Sequence, residues 1–191
     1  MKRSELEKDA SFILASMNGR DYEIPTNKMI MSVIFGRLKY VYFLQVIFVI
    51  LAFMIYKEPG GIDYQFKKII YLSLLSCVTM VFFSLVFIGA TYSNVCIFLT
   101  LGDDVKRDSI LFRIVKNKIL FYTRLLFIVN SLVGCVLLWA GEPFVAGLGV
   151  SWFATFIISM LFLQGSLSRY MTPAVVNSLS KVKELLTASP K

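Results

Sequence analysis

Four stretches of the chain carry no charged residue: Tyr40–Tyr56, Ile69–Leu101, Leu125–Gly141 and Phe144–Ser168. A bilayer core about 30 Å thick takes roughly 20 apolar residues of helix, with a range of about 17 to 25. All four stretches reach that range, and charged residues bound each one. The pattern predicts an all-α fold, a polytopic membrane bundle of four transmembrane helices with short amphipathic helices ahead of it. The second stretch is too long for a bilayer. At 1.5 Å per residue it runs about 50 Å, and tilt absorbs only part of the excess. From Ser109, a plausible N-cap, the helical pattern resumes over a similar length to Ala140. Spans two and three are therefore expected to continue past the membrane as an antiparallel hairpin near residues 92–118, with Gly102 ending one helix and Asp103-Asp104 forming the turn.

Ahead of the first span, Ser4-Glu5-Leu6-Glu7 fits a capping box, and Leu6, Ala10, Ile13, Leu14 and Met17 recur at helical spacing up to Gly19. Asp21-Tyr22-Glu23-Ile24-Pro25 reads as an extended linker, because the residue before proline avoids the helical region. Thr26 or Asn27 can cap a second helix carrying Met29, Ile30, Val33, Ile34 and Leu38. That helix either lies at the membrane surface, as an anchor or a docking face, or runs straight into span one. The chain thus reads as N-terminal helices over 1–39, a bundle over 40–168 and a C-terminal tail over 169–191. Met1–Lys39 shows no apolar core of a signal peptide and no small-residue cleavage site, so Tyr40–Tyr56 is expected to act as an uncleaved anchor.

Charge sets the expected orientation. The net charge is +8. Lys and Arg cluster in residues 1–39, in Asp103–Lys118 with Arg124 just beyond, and after Arg169. Only Lys57, Lys67 and Lys68 fall in the first loop, and none in the Glu142-Pro143 turn. The positive-inside rule then places both termini in the cytoplasm of a bacterial inner membrane. The basic faces suit anionic headgroups of the lipid bilayer. Their dispersal along a chain built for lipid argues against direct nucleic acid binding.

Within the spans, polar and small residues form stripes at 100° per residue. Ser73, Ser76, Cys77, Ser84, Thr91 and Asn94 share one arc of span two. Asn130, Ser131, Gly134 and Cys135 share an arc of span three with Arg113, Lys116, Asn117, Thr123 and Arg124. Gly147, Ser151, Thr155, Ser159, Gly165 and Ser166 do so on span four. Small residues and interhelical hydrogen bonds bring apolar helices together in lipid, so packing is the plain reading of the stripes and a polar path the sharper one. A transport path usually carries an ionisable group near mid-membrane. Arg124 is the one candidate. It lies near the end of its span, and no Asp or Glu interrupts any span.

Chemistry finds little foothold. The chain has no histidine, which removes the commonest general base and zinc ligand. Cys77, Cys96 and Cys135 sit in apolar stretches without a CxxC pair, and read as packing residues. Asp103, Asp104 and Asp108 could hold a metal, but capping and solvated turn charge explain them as well. No nucleophile stands at a recognisable spacing from a base. The expected protein is not an enzyme and needs no cofactor or metal.

The stretch ELEKDASFILASMNGRDYEIPTNKMIMSVIFGRLKYVYFLQVIFVI, Glu5–Ile50, together with the span pattern, resembles the TraS-like entry-exclusion (surface exclusion) inner-membrane proteins of F-type conjugative plasmids. The resemblance implies a protein of the recipient cell that blocks redundant DNA transfer, with a donor TraG-like mating-pair stabilisation protein as partner. It carries over no site residues. An immunity protein against a pore-forming bacteriocin is the alternative, and a small transporter or channel is a third. For a recognition role, the helices of Ser4–Lys39, the hairpin and the tail from Val175 are the available surfaces. Arg113, Lys116 and Arg124 are the candidate partner-binding residues, and the stripes leave a homo-oligomer open.

A reporter active only outside the cytoplasm is expected to give signal when fused at Gly60 or Glu142. Fusions at Gly19, Asp104 and Lys191 are expected to be silent. Signal at Asp104 would overturn the four-span arrangement with both ends inside.

Overall fold

The computed structural model describes residues 3–18, 24–57 and 62–187. Among them the chain is all helical, without a strand. Seven α-helices follow in order: α1 Arg3–Asn18, α2 Asn27–Ile55, α3 Ile62–Thr100, α4 Asp103–Asp108, α5 Ile110–Ala140, α6 Leu148–Ser168 and α7 Pro173–Thr187. A 3-10 turn, Glu142–Gly147, leads into α6. Four of these segments are long and apolar enough to cross a membrane: α2, α3, α5 and α6 with its 3-10 lead-in. The protein has the features of a multi-pass membrane protein.

The boundaries follow local chemistry. Thr26 caps α2, its Oγ1 accepting from the Met29 N–H at 3.4 Å. The short second helix and the first span are one helix, so the two readings left open by the sequence resolve into a straight run. Ser4 lies inside α1, and Glu7 accepts from Arg3 Nε at 2.7 Å, an exposed i,i+4 pair. The end of α1 at Gly19, the linker residues Asp21, Tyr22 and Glu23, and the loop residues Gly60 and Gly61 lie outside the described residues.

The tip between α3 and α5 differs from the expected simple turn. Asp103 and Asp104 open the short helix α4, with Lys106 and Arg107 in its last turn. Acids at the N-terminus and bases at the C-terminus complement the helix dipole, which makes six residues of helix tolerable here. Ser109 then caps α5 as its sequence position suggests, accepting from the Phe112 N–H at 3.0 Å. At the other end of α5, Gly141 has φ 134°, a conformation that a side chain would strain. Its carbonyl accepts from the Phe144 N–H at 3.1 Å, closing the turn into α6.

The chain divides into two compact units: Met1–Val33 with Thr91–Tyr122 and Leu161–Lys191, and Ile34–Ala90 with Thr123–Met160. The second unit is the more apolar at its surface. Large side chains such as Phe43, Phe82, Leu132 and Trp139 face outward, Trp139 at 90% exposure. Such a surface suits lipid and would be a liability in water. Its interior is an apolar cluster of Leu44, Phe48, Ala52, Ile69, Leu138, Val145 and Leu148, with a few enclosed polar groups beside it. Ser76, fully buried, accepts from Gln45 Nε2 at 2.7 Å and from the Gly149 N–H at 3.0 Å. One hydroxyl thereby links α2, α3 and α6. The Tyr42 and Ser84 hydroxyls bond at 3.0 Å. Gln65 Nε2 donates to the Phe53 and Tyr56 carbonyls at the end of α2, and the Tyr56 hydroxyl donates to the Leu138 carbonyl. Lys68 pairs with Glu142 at 3.0 Å.

Close approach depends on two glycines, Gly134 of the α5 stripe and Gly149, which lies outside the α6 stripe. A Cβ on Gly134 would run into the Phe48 ring, and one on Gly149 into the Ser76 carbonyl, Thr79 and Met80. Aromatic stacking completes the α3–α6 seam, with Phe83 and Phe153 at 4.0 Å between centroids and Phe87 edge-on to Phe156. The α6 stripe itself is only half-buried. Ser151 and Thr155 donate back to the Leu148 and Trp152 carbonyls of their own helix. The buried face of α6 is Leu148, Gly149 and Trp152.

Gly149→Val should lower the thermal midpoint in detergent by the equivalent of about 1–3 kcal/mol, the usual cost of overpacking. Ser76→Ala should cost about 0.6–2 kcal/mol, the worth of an interhelical hydrogen bond in lipid. The opposite order would mean that the bond, and not the close approach, holds α6 in place.

Candidate functional site

The first unit is organised around α1. Leu6, Ala10, Ile13 and Met17 form its buried face, packed with Val105 of α4, Leu111 of α5 and Val175 of α7. Leu101, Tyr170, Met171 and Leu179 close the edges of this cluster. The i, i+4, i+7, i+11 spacing seen in the sequence is thus a core face with an internal partner. It is not a free docking stripe. The tail likewise has structure. Thr172 Oγ1 accepts from the Val175 N–H at 3.4 Å, and Pro173 opens α7, where proline's fixed φ favours a first turn.

Asp9 locks this packing. It is 9% exposed. One carboxylate oxygen accepts from Ser109 Oγ at 2.8 Å and the Leu111 N–H at 2.7 Å, and the other from the Ile110 N–H at 3.1 Å. The carboxylate sits at the start of α5, where free N–H groups and the positive end of the helix dipole favour an anion. Its desolvation is balanced by three charge-assisted bonds, the condition for a carboxylate to be buried without a cation. Asp9 was not singled out in the sequence. The available signal was an acid beside the apolar positions Leu6, Ala10 and Ile13 on α1.

Four of the five charged residues of α4 pair with one another. Lys106 meets Asp103 at 3.6 Å and Arg107 meets Asp108 at 3.0 Å. Arg107 is held above its usual pKa, first by the hydrogen bond to Asp108 and then by the charges of Asp108 and Asp104. Lys106 also lies 5.9 Å over the Phe98 ring. Asp103, Asp104 and Asp108 therefore sit among cations, and among the described residues no group of three His, Cys, Asp or Glu could hold a metal ion.

The three candidate recognition cations lie on α5. Arg113 and Lys116 are exposed one turn apart in the first unit, and no carboxylate pairs with either among the described residues. Arg124 is exposed too and belongs to the second unit. The structure brings Arg113 and Lys116 together as neighbours within the first unit. On the stripe they were assigned to, Asn130 and Gly134 turn inward and the cations outward. Of the cysteines, Cys77 and Cys135 are exposed and Cys96 half-buried.

Comparison of the chain with protein-family models, with curated proteins and with solved structures found no match in any of the three.

Asp9→Ala should strand the Ser109 hydroxyl and two N–H groups, at a cost of about 3 kcal/mol. Hydrogen exchange should then accelerate over Arg3–Asn18 and the first turn of α5, with Gly149 and its neighbours unchanged. Unchanged protection of α1 would show that apolar packing alone holds it.

Proposed function

We propose that the chain acts by protein recognition at a bacterial inner membrane, with both termini in the cytoplasm, and that its role is conjugative exclusion. In this reading a recipient cell uses it to refuse redundant plasmid transfer, by recognising a donor mating-pair stabilisation protein of the TraG type. The observation that carries the recognition reading is the disposition of charge in the first unit. The apolar face of α1 is spent on the core, four of the five charged residues of α4 pair with one another, and Arg113 and Lys116 stand exposed without an acidic partner among the described residues. Surface cations held in this way add little to stability and are available to an acidic partner. The exclusion role itself is supported by the resemblance of Glu5–Ile50.

The polar stripes favour this reading over a transporter. Ser76 and Ser84 have their hydroxyls engaged by Gln45, Gly149 and Tyr42, and the serine and threonine of α6 bond to their own helix. Polar groups engaged in this way act as interhelical glue.

The test is to express the chain alone in recipients and measure plasmid acquisition from an isogenic donor, then repeat under challenge by a pore-forming bacteriocin. Acquisition should fall, and killing should not. Protection from killing with normal acquisition would transfer the protein to the immunity class. Reversing charge with Arg113→Glu and Lys116→Glu should abolish exclusion at normal membrane abundance. Retained exclusion would remove these residues from the mechanism, and lost abundance would make them structural.

A further inference from the structure

The first unit carries an open surface pocket of about 390 Å³ lined by Ile114, Asn117, Lys118 and Phe121 of α5 and by Tyr170, just beyond α6. The four α5 residues recur at i, i+3, i+4 and i+7, so one helix face forms a wall, and Tyr170 completes the lining. The lining is amphiphilic. Ile114 and Phe121 offer apolar surface, while Lys118, the Asn117 amide and the Tyr170 phenol offer one cation and two neutral polar groups. A second cation lies over the ring, with the Arg169 guanidinium 5.0 Å from the Tyr170 centroid. Among the described residues no carboxylate lines the pocket.

The level of the pocket along the chain is informative. Lys118 and Arg124 are the last cations before the charge-free run that starts at Leu125, and Arg169 is the first after the run that ends at Ser168. Both lining elements therefore meet the pocket where their membrane-spanning runs give way to charge. Tyrosine and basic residues at that depth stand among lipid headgroups and the upper acyl chain.

We propose that this pocket binds the headgroup of an anionic phospholipid. Lys118 faces the phosphodiester, Asn117 and the Tyr170 hydroxyl donate to its oxygens, and Phe121, on the membrane side of Lys118, receives the first acyl carbons. Arg169 adds positive potential through the ring it covers. A lone cation with neutral donors and no competing acid selects an anion, and the apolar wall selects an amphiphile over a free phosphate. The site does not depend on the exclusion role.

The test uses the full chain in detergent micelles, with phosphatidylglycerol and phosphatidylcholine of the same acyl chains supplied at equal concentration and retained lipid counted by native mass spectrometry. Phosphatidylglycerol should be retained preferentially. Lys118→Gln should lower its retention about fivefold, the order expected of one cation near an anionic headgroup. Lys118→Arg should keep most of it, and Lys8→Gln, an equal charge change on the exposed face of α1, should leave it unaltered. If Lys118→Gln fails to give wild-type helicity by circular dichroism, Tyr170→Phe serves in its place, with a fall of about twofold expected for one neutral hydrogen bond. Equal retention of the two lipids, an equal loss in Lys8→Gln, or full competition by equimolar glycerol 3-phosphate would overturn the proposal.

Discussion

A polar group that leaves water must find its partners in the protein, and Asp9 meets that condition in a way that organises everything packed near it. Its carboxylate accepts three bonds at the first turn of α5, a hundred residues further along the chain. A helix start needs its free N–H groups satisfied, and a buried carboxylate needs donors. Each solves the other's problem. The bond set is directional, so it fixes both the register and the rotation of α1 on α5, which apolar contact alone leaves loose. Val105, Leu111 and Val175 can then be buried completely or nearly so.

The second unit answers the same condition in a different solvent. Lipid offers no hydrogen bonds, and apolar side chains gain little by leaving it, so helices there associate through small residues and enclosed polar groups. Ser76 serves two helices with one hydroxyl, and Gly149 allows its backbone N–H to come within bonding distance. Among the described residues three buried side-chain atoms stay without partners, Ser73 Oγ, Glu142 Oε1 and Trp152 Nε1. Trp152 is nearly fully enclosed, so its indole N–H is a standing loss of about 1–3 kcal/mol that the Phe87 and Phe156 packing must offset.

The sequence made the helices legible because lipid imposes a length and a composition that few other environments require. It made the excess length of α3 legible too, from arithmetic alone. The α4 turn was harder to read, since six residues with paired charges look the same as a solvated loop until their dipole complement is considered. Docking of α1 was beyond sequence reasoning for a physical reason. Its apolar stripe is compatible with lipid, a foreign protein or this chain, and only the partner of Asp9 distinguishes them. The same holds for Lys118. As one cation among several on α5 it carries no mark, and only Tyr170 completes the pocket.

A division of labour among the charges follows. Asp103, Lys106, Arg107 and Asp108 form exposed pairs, a class of interaction worth at most about 1 kcal/mol each. Their larger effect is to neutralise the tip locally, so that the field of the first unit is not dominated by α4. Arg113 and Lys116 are exposed on α5, as Lys8 is on α1 and Lys28 on α2, and Lys118 lines the pocket. In the proposed recognition role, a partner would meet cations on one helix at fixed axial spacing, held by a helix whose start is locked by Asp9. Rigid presentation reduces the entropy lost on binding, since the backbone carrying the charges is already ordered. The buried carboxylate, which touches no outside molecule, thereby sets how precisely the exposed cations are offered.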